Sequence, residues 1–261
     1  MLKALNTAAT GMAAQESNVN NISNNIANVN TVGFKKSRTE FEDLLYQTVE
    51  EAGARSSATS QYSVGTQIGS GAKISATRKE HSQGDPMVTD NPYDLLLNGD
   101  GFFGIIDSKG QIKFTRDGAF TVDATGTVVT KNGHKLYPGF TVPSNTAYLN
   151  ISENGNIEAQ FKDNPEPQNL GQIPVFTFIN PTGLRSEGKN LYGATTGSGD
   201  AIQNVPGENN AATVQQGMLE ASNVNIMNEM TSLIKAQRAY EMNSKVMGVA
   251  DQILQVTNNI K

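Results

Sequence analysis

Apolar residues return at helical spacing along the end of the chain. Ile226, Met230, Leu233 and Tyr240 form one stripe, which Met247 and Leu254 continue. A second stripe runs Ala239, Met242, Val246, Val249, Ile253, Val256 and Ile260 in alternating threes and fours. From Ser222 to Ile260 the only breaker is Gly248, so the spacing predicts one continuous helix of roughly 50–55 Å. Two offset stripes on one helix predict two neighbours, since each heptad stripe seeks a separate partner. The beginning of the chain reads the same way. Leu5, Ala8, Met12, Val19, Ile22, Ile26 and Val29 keep the alternation, with Gln15 in the one polar slot. This predicts a helix to about residue 32, ended by Gly33 as its C-cap. Its six Asn residues between Asn18 and Asn28 are mediocre helix formers, so it needs packing to persist. Both ends carry the same tetrapeptide, Ser17-Asn18-Val19-Asn20 and Ser222-Asn223-Val224-Asn225. The two termini are therefore expected to meet in one coiled-coil layer.

Between the helices the period changes to two. After Gly33, Phe41, Leu44, Leu45 and Tyr46 suggest a short amphipathic continuation. Residues 47–71 then turn to Gly, Ser, Thr, Ala and Gln, the composition of a flexible linker. Alternation through Tyr62, Val64, Gln67, Ile68 and Ile74 also fits an extended hairpin laid on a neighbour. From His81 to Gly199 short strands recur: 94–97, 102–106, 113–115, 119–122, 128–130, 147–151, 157–161 and 173–179. They are punctuated by turn chemistry such as Asp117-Gly118, Asn132-Gly133 and Asn154-Gly155. The expected fold is α+β: terminal helices paired in a coiled-coil layer, a β-rich antiparallel middle domain and an extended linker or hairpin region. The expected divisions are 1–38 (N-terminal helical), 39–80 (linker or hairpin), 81–200 (β-rich), 201–217 (return linker) and 218–261 (C-terminal helical).

Composition narrows the function. The 261 residues carry a net charge of −5, which leaves no basic footprint for nucleic acid. There is no Cys, which excludes thiolate metal sites and Cys nucleophiles and fits a fold that needs no oxidation step. No apolar run is long enough to span a bilayer. The opening MLKALNTAATGMAAQ has a Lys and small residues, but Asn6, Thr7 and Thr10 interrupt it too early for a cleavable signal peptide.

Candidate chemistry is sparse. Gly99-Asp100-Gly101-Phe102-Phe103-Gly104 matches a dinucleotide fingerprint by letter. That motif requires a helix directly after it, and here a strand and turn follow, so a tight turn burying Phe102 and Phe103 is expected instead. Asp100, Asp107, Asp117 and Asp123 sit at turns without the spacing of a calcium loop. His81, with Glu80 and Asp85 nearby, reads as a solvated loop, and the knot of Lys35, Lys36 and Arg38 as a solvated helix end. Arg238 beside Tyr240 is placed to bridge to a neighbouring chain. No catalytic, cofactor or metal site is expected, and no enzyme.

At Asn28-Val29-Asn30-Thr31-Val32-Gly33-Phe34-Lys35 the chain resembles the bacterial flagellar axial proteins, the rod and hook family. The resemblance recurs at Gly99 to Phe103, at Thr115-Arg116-Asp117-Gly118-Ala119-Phe120, at Leu219 to Val224 and at Gln237 to Lys245. It covers the whole chain in order. Within the family, the length and the stretch from Tyr46 to Gly84 are closest to the distal-rod pattern. Proximal rod subunits are the nearest confusable relatives, and a secreted adhesin-like module is the alternative from another class.

The resemblance implies a structural subunit that self-assembles into a rigid helical tube, transmits motor torque and encloses the export channel. It further implies secretion through the type III export apparatus, a place in the periplasm-spanning rod, and contact with proximal rod, hook and ring proteins. The terminal stripes would then be assembly interface, and Gly33, Gly99, Gly101, Arg116, Asp117 and Gly118 the family's signature turns. Residues 47–71 are expected to lock adjacent subunits.

Overall fold

The computed structural model describes residues 2–53, 63–162 and 166–259. Contacts divide the chain into two compact units. The first comprises Met1–Ala27, Ser37–Arg78 and Asn225–Lys261; the second comprises Asn28–Lys36 and Lys79–Val224.

The first unit is built on two helices, α1 (Leu2–Ala27) and α2 (Ile226–Asn259), which pack along one another. Helix α1 stops at Ala27, short of the expected residue 32, and Val29 lies outside it. The cause lies further along the chain: the buried Asn25 side chain donates to Ser37 O at 2.8 Å and accepts from Ser37 N at 2.9 Å. This draws the returning chain back against the helix. Asn28 then opens a turn, with Thr31 N donating to Asn28 O and Phe34 N to Thr31 O. Helix α2 begins at Ile226 because Asn225 caps it, its Oδ1 accepting from Asn228 N at 3.2 Å. Residues 222–225 precede the helix, whereas the pattern had placed them inside it.

Phe41, in the short amphipathic stretch expected after Gly33, belongs to the strand Ser37–Asp43. That strand pairs with Ala72–Lys79. Lys73 and Glu42 (2.6 Å) and Arg78 and Glu40 (2.7 Å) form ion pairs across them. The Gly- and Ser-rich region carries a short hairpin in which Gln47–Glu50 pairs with Thr66–Ile68. Residues 54–62 of that region, with Tyr62, lie outside the described residues, as does Ile260 of the second helical stripe.

The second unit is built of β-strands, with one 3-10 turn at Pro181–Gly183. Its largest sheet runs 185–188, 191–193, 112–115, 102–106, 135–136, 128–130, 120–122, and the strand 175–177 joins 102–106 to 202–204. A three-stranded sheet (146–151, 156–161, 168–172) lies beside it in sequence, and all the strand pairings are antiparallel. The core is apolar: Phe103, Ile105, Phe120, Leu136, Ile157, Ile173, Val175 and Val214 are fully buried. A second cluster gathers Phe102, Phe114, Phe176 and Tyr192, with ring centroids 5.3–5.7 Å apart in edge-to-face pairs. Phe102 and Phe103 enter these two clusters from opposite faces of one strand, which is what the glycines ahead of them turn the chain to do.

Candidate functional site

Two arrangements stand out, one in each unit. The first is the division of the two stripes on α2. Leu233, Met247 and Leu254 are half-buried, together with the small residues Ala236 and Ala250, which are fully buried. This side faces α1, whose own Ala8, Ala14 and Ile22 are buried and whose Leu5, Met12, Val19 and Ile26 are half-buried. The other stripe is open to solvent. Met242, Val246, Val249, Ile253 and Val256 are 40–61% exposed and Arg238 is exposed as well; of the first stripe, Ile226, Met230 and Tyr240 are also exposed, so only its Leu233, Met247 and Leu254 are partly covered. Burying five such half-exposed side chains contributes on the order of 5 kcal/mol per helix. The stripe is therefore an apolar face left uncovered among the described residues.

The second arrangement is a buried charge cluster that joins distant parts of the second unit. Lys35, 0% exposed, donates from Nζ to Glu220 Oε1 at 2.5 Å and to Ser82 O at 2.7 Å. Glu220, 1% exposed, accepts on the same Oε1 from Gly84 N at 2.9 Å. Arg116, 3% exposed, places Nε 3.2 Å from Glu220 Oε2 and donates from Nη2 to Gly99 O at 2.7 Å. Arg116 Nη1 has no hydrogen-bond partner among the described residues, and Glu220 Oε2 pairs with Arg116 by charge without an aligned hydrogen bond. One carboxylate thus balances two cations. Burial holds the Lys35 ammonium below its ordinary pKa, and repulsion from Arg116 adds to this, while Glu220 opposes it. Burial also lowers Arg116, against the pull of Glu220 and Asp100.

Backbone contacts finish the joint. Gly33 N donates to Glu220 O at 2.8 Å, and Gly33 has φ +66. A Cβ there would lie 2.7 Å from Arg116 C and Asp117 N, so only glycine fits. Asn190 Nδ2 donates to Val32 O at 3.1 Å, and its own carbonyl accepts from Thr115 Oγ1 at 2.8 Å. Asp117 Oδ1 accepts from Ala119 N at 3.0 Å, and Gly118 O accepts from Leu95 N at 3.0 Å. Gly101 leads into the strand 102–106, just past Asp100, whose carbonyl accepts from Ala212 N. Asn223 accepts from Lys36 N at 2.8 Å and donates to Glu80 O at 2.8 Å and Ser82 Oγ at 3.0 Å. The motifs around residues 33, 83, 99, 116 and 220 therefore converge on one point.

Two expectations are corrected here. Lys35 is no solvated helix end: it is among the most buried side chains of the protein, although Lys36 does reach Glu80 near the surface at 3.0 Å. His81 is no solvated loop residue. Its ring stands edge-on to Phe102 (5.5 Å) and Tyr192 (5.7 Å), and neither ring nitrogen makes an aligned hydrogen bond. Burial, with Lys35, Lys79 and Arg116 nearby, pushes its pKa down to about 4. Burial likewise raises the Tyr192 phenol to about 12. Sequence reasoning missed Glu220, Asn223, Asn190, Ser82 and Gly84 as parts of the joint.

Along its full length the chain is 46% identical to the flagellar basal-body rod protein FlgG of Caulobacter vibrioides, covering 100% of both chains. The chain belongs to the FlgG family of flagellar basal-body rod proteins. The FlgG of Borreliella burgdorferi is 44% identical over 100% of this chain and 99% of its own. In Bacillus subtilis the FlgG relative is 37% identical and the hook-basal body complex protein FlhP 31%, each over the full length of both chains. That ordering within one organism sets this chain on the FlgG side. Family models match at residues 5–35 (flagella basal body rod protein), 96–159 (flagellar hook protein FlgE/F/G D1 domain) and 215–260 (flagellar basal body rod FlgEFG protein C-terminal). The Helicobacter pylori hook protein FlgE2 overlaps 71% of this chain and 43% of its own at 16% identity, with a TM-score of 0.26. As a FlgG-family member the chain is a structural subunit of the flagellar rod. The three matched segments fall on α1 and the turn after it, on the β unit, and on Glu220 with α2.

Proposed function

We infer that the chain self-assembles into the distal rod, a rigid helical tube that carries torque and encloses the export channel. The terminal helices, as a coiled-coil layer, line the inside, and the β unit is carried outside. Exposure of the second α2 stripe, on a chain 46% identical to a FlgG relative from end to end, is the observation that supports this best. An apolar stripe of that length left in water needs a partner, and identical contacts repeated without closing give a filament. The assembly set is Leu5, Met12, Val19, Ile22 and Ile26 on α1, Val29 just after it, and Ile226, Met230, Leu233, Arg238, Tyr240, Met242, Val246, Val249, Ile253 and Val256 on α2.

Other axial proteins, the proximal rod and the hook, continue the tube at its ends, and ring proteins surround it in the periplasm. Export runs through the type III apparatus, and neither nucleic acid nor membrane insertion has a part. The divisions 1–38, 39–80, 81–200, 201–217 and 218–261 are the functional segments of this reading. Residues 47–71 lock neighbouring subunits, and deleting them should turn a straight polymer into a bendable one; a straight tube in their absence rules that role out.

The deciding experiment is to tag the chain and image detergent-extracted basal bodies by electron microscopy. Label along the straight shaft distal to the inner-membrane ring supports the distal rod. Label confined to the base of the shaft points to a proximal subunit, and absence from the particle to an adhesin-like module.

A further inference from the structure

The contact between α1 and α2 has a seam that the apolar stripes do not explain. Asn25 Nδ2, on α1, donates to Glu229 Oε2, on α2, at 3.2 Å. Gly11 lies against Asn243: a Cβ on Gly11 would sit 2.9 Å from Asn243 Nδ2. From Asn25 back to Gly11, and from Glu229 forward to Asn243, the same number of residues is traversed in opposite senses. The helices are therefore antiparallel in one register, and this register sets Asn18 opposite Ala236. Heptad spacing holds on both sides of the seam, through Gly11, Asn18 and Asn25 and through Glu229, Ala236 and Asn243. In each of the two inner layers a small residue faces an amide, glycine against Asn243 and Ala236 against Asn18.

We propose that this seam fixes the register of the terminal helices, a role that builds on their reading as an assembly layer. The apolar stripes cannot do so. Their heptad period survives a slip of seven residues, which carries one apolar layer onto the next. The seam does not survive it. Sliding one way brings Asn18 against Asn243, moves Asn25 from Glu229 to Ala236, and leaves the Gly11 notch unfilled. Sliding the other way moves Asn25 beyond the start of α2 and puts Gly11 against Ala236. Either slip takes from Asn25, the buried amide of the seam, its bond to Glu229, and from Asn243 the glycine it packs against, so the slipped pairings lose to the observed one. A polar residue at a helix interface that selects register at some expense of stability is a known use of buried Asn.

The chain has no Cys, so introduced thiols report cleanly. Ala8→Cys is combined in the full-length chain with Met247→Cys, next to Val246, which the observed register sets opposite Ala8, or with Tyr240→Cys or Leu254→Cys, one heptad to either side, which the two slips would bring there. A short thiol–thiol cross-linker is applied to basal bodies containing the chain. The expected result is an intrachain product from the Ala8/Met247 pair exceeding either slipped pair by at least about tenfold. Adding Asn25→Leu with Asn243→Ala should raise the slipped products toward parity. Equal products in the otherwise native chain, products only between chains, or an unchanged ratio in the Asn25/Asn243 variant would each overturn the proposal. If the chain is absent from basal bodies, the functional reading fails, and the same cross-links on the purified chain decide the register alone. No intrachain product from the Ala8/Met247 pair in either sample also overturns it.

Discussion

Replacing Glu220 by Ala tests whether the charge cluster holds the β unit to residues 28–36. The substitution removes the carboxylate that pairs with two buried cations, and with it one acceptor for Lys35 Nζ and the acceptor for Gly84 N. Breaking a buried pair from one side costs about 3–5 kcal/mol, because the remaining charge stays desolvated. Here two like charges remain, so the upper part of that range is expected, against a typical domain stability of about 5–15 kcal/mol. At about 2–4 °C per kcal/mol for a unit of this size, the melting temperature should fall by about 6–20 °C. The chain has no Trp, so near-ultraviolet circular dichroism of the tyrosines, four of which (Tyr93, Tyr137, Tyr148, Tyr192) lie in the β unit, can follow the loss. Glu220→Gln keeps an acceptor for Gly84 N but not the charge, and should recover only a minor part. The triple variant Lys35→Met, Arg116→Met, Glu220→Leu should recover much more, since apolar residues of similar volume often replace a buried ionic group without loss. A Glu220→Ala protein melting within about 2 °C of the native one, which is under ~1 kcal/mol, would refute the reasoning.

Three further outcomes follow from particular residues. His81 is neutral in the folded protein down to about pH 4, whereas its unfolded pKa is 6.5. Its contribution is therefore intact above pH 6.5 and is lost as the pH falls toward 4, by ~3 kcal/mol in all. His81→Phe keeps the edge-on contacts with Phe102 and Tyr192, so it should flatten that part of the urea-stability profile relative to the native chain; parallel profiles would show that His81 does not titrate as described. Gly33→Ala forces a side chain into a left-handed conformation 2.7 Å from the Arg116–Asp117 backbone, and should cost more than ~2 kcal/mol of β-unit stability by chemical denaturation. Val249→Asp changes a residue more than half exposed, so the melting of the β unit should stay within ~0.5 kcal/mol of native while polymer formation, followed by sedimentation, is lost; sedimentable polymer from this variant would remove the second stripe from the assembly face.

The elements that sequence could announce are those whose information is local. Strand 102–106 follows from its own apolar residues and the turn before it, and α2 from an unbroken three-four alternation. The end of α1 could not be read, because it is set by Asn25 reaching the backbone of Ser37 while the apolar alternation runs on to Val29. Lys35 was misread for the same reason. A Lys-Lys pair after a helix looks solvated, and nothing nearby in sequence betrays that its partner is Glu220. The signal that existed was indirect: glycines at 33, 84 and 99 and an Arg-Asp-Gly turn at 116–118 recur in segments far apart, each too short to be an element on its own.

The two stripes of α2 were legible as stripes but not as inside and outside, since Leu233 and Val246 are equally apolar. What separates them is the size of the residues between. Ala236, Asn243 and Ala250 let α1 approach along one side, with Gly11 answering Asn243, whereas the side bearing Met242, Val246, Val249 and Ile253 is too bulky for that approach and stays open. Small residues thus decide which face is satisfied within the chain, and the large ones stay exposed. The β unit is closed around an apolar core and a buried charge cluster, while α2 keeps an apolar face that nothing among the described residues covers.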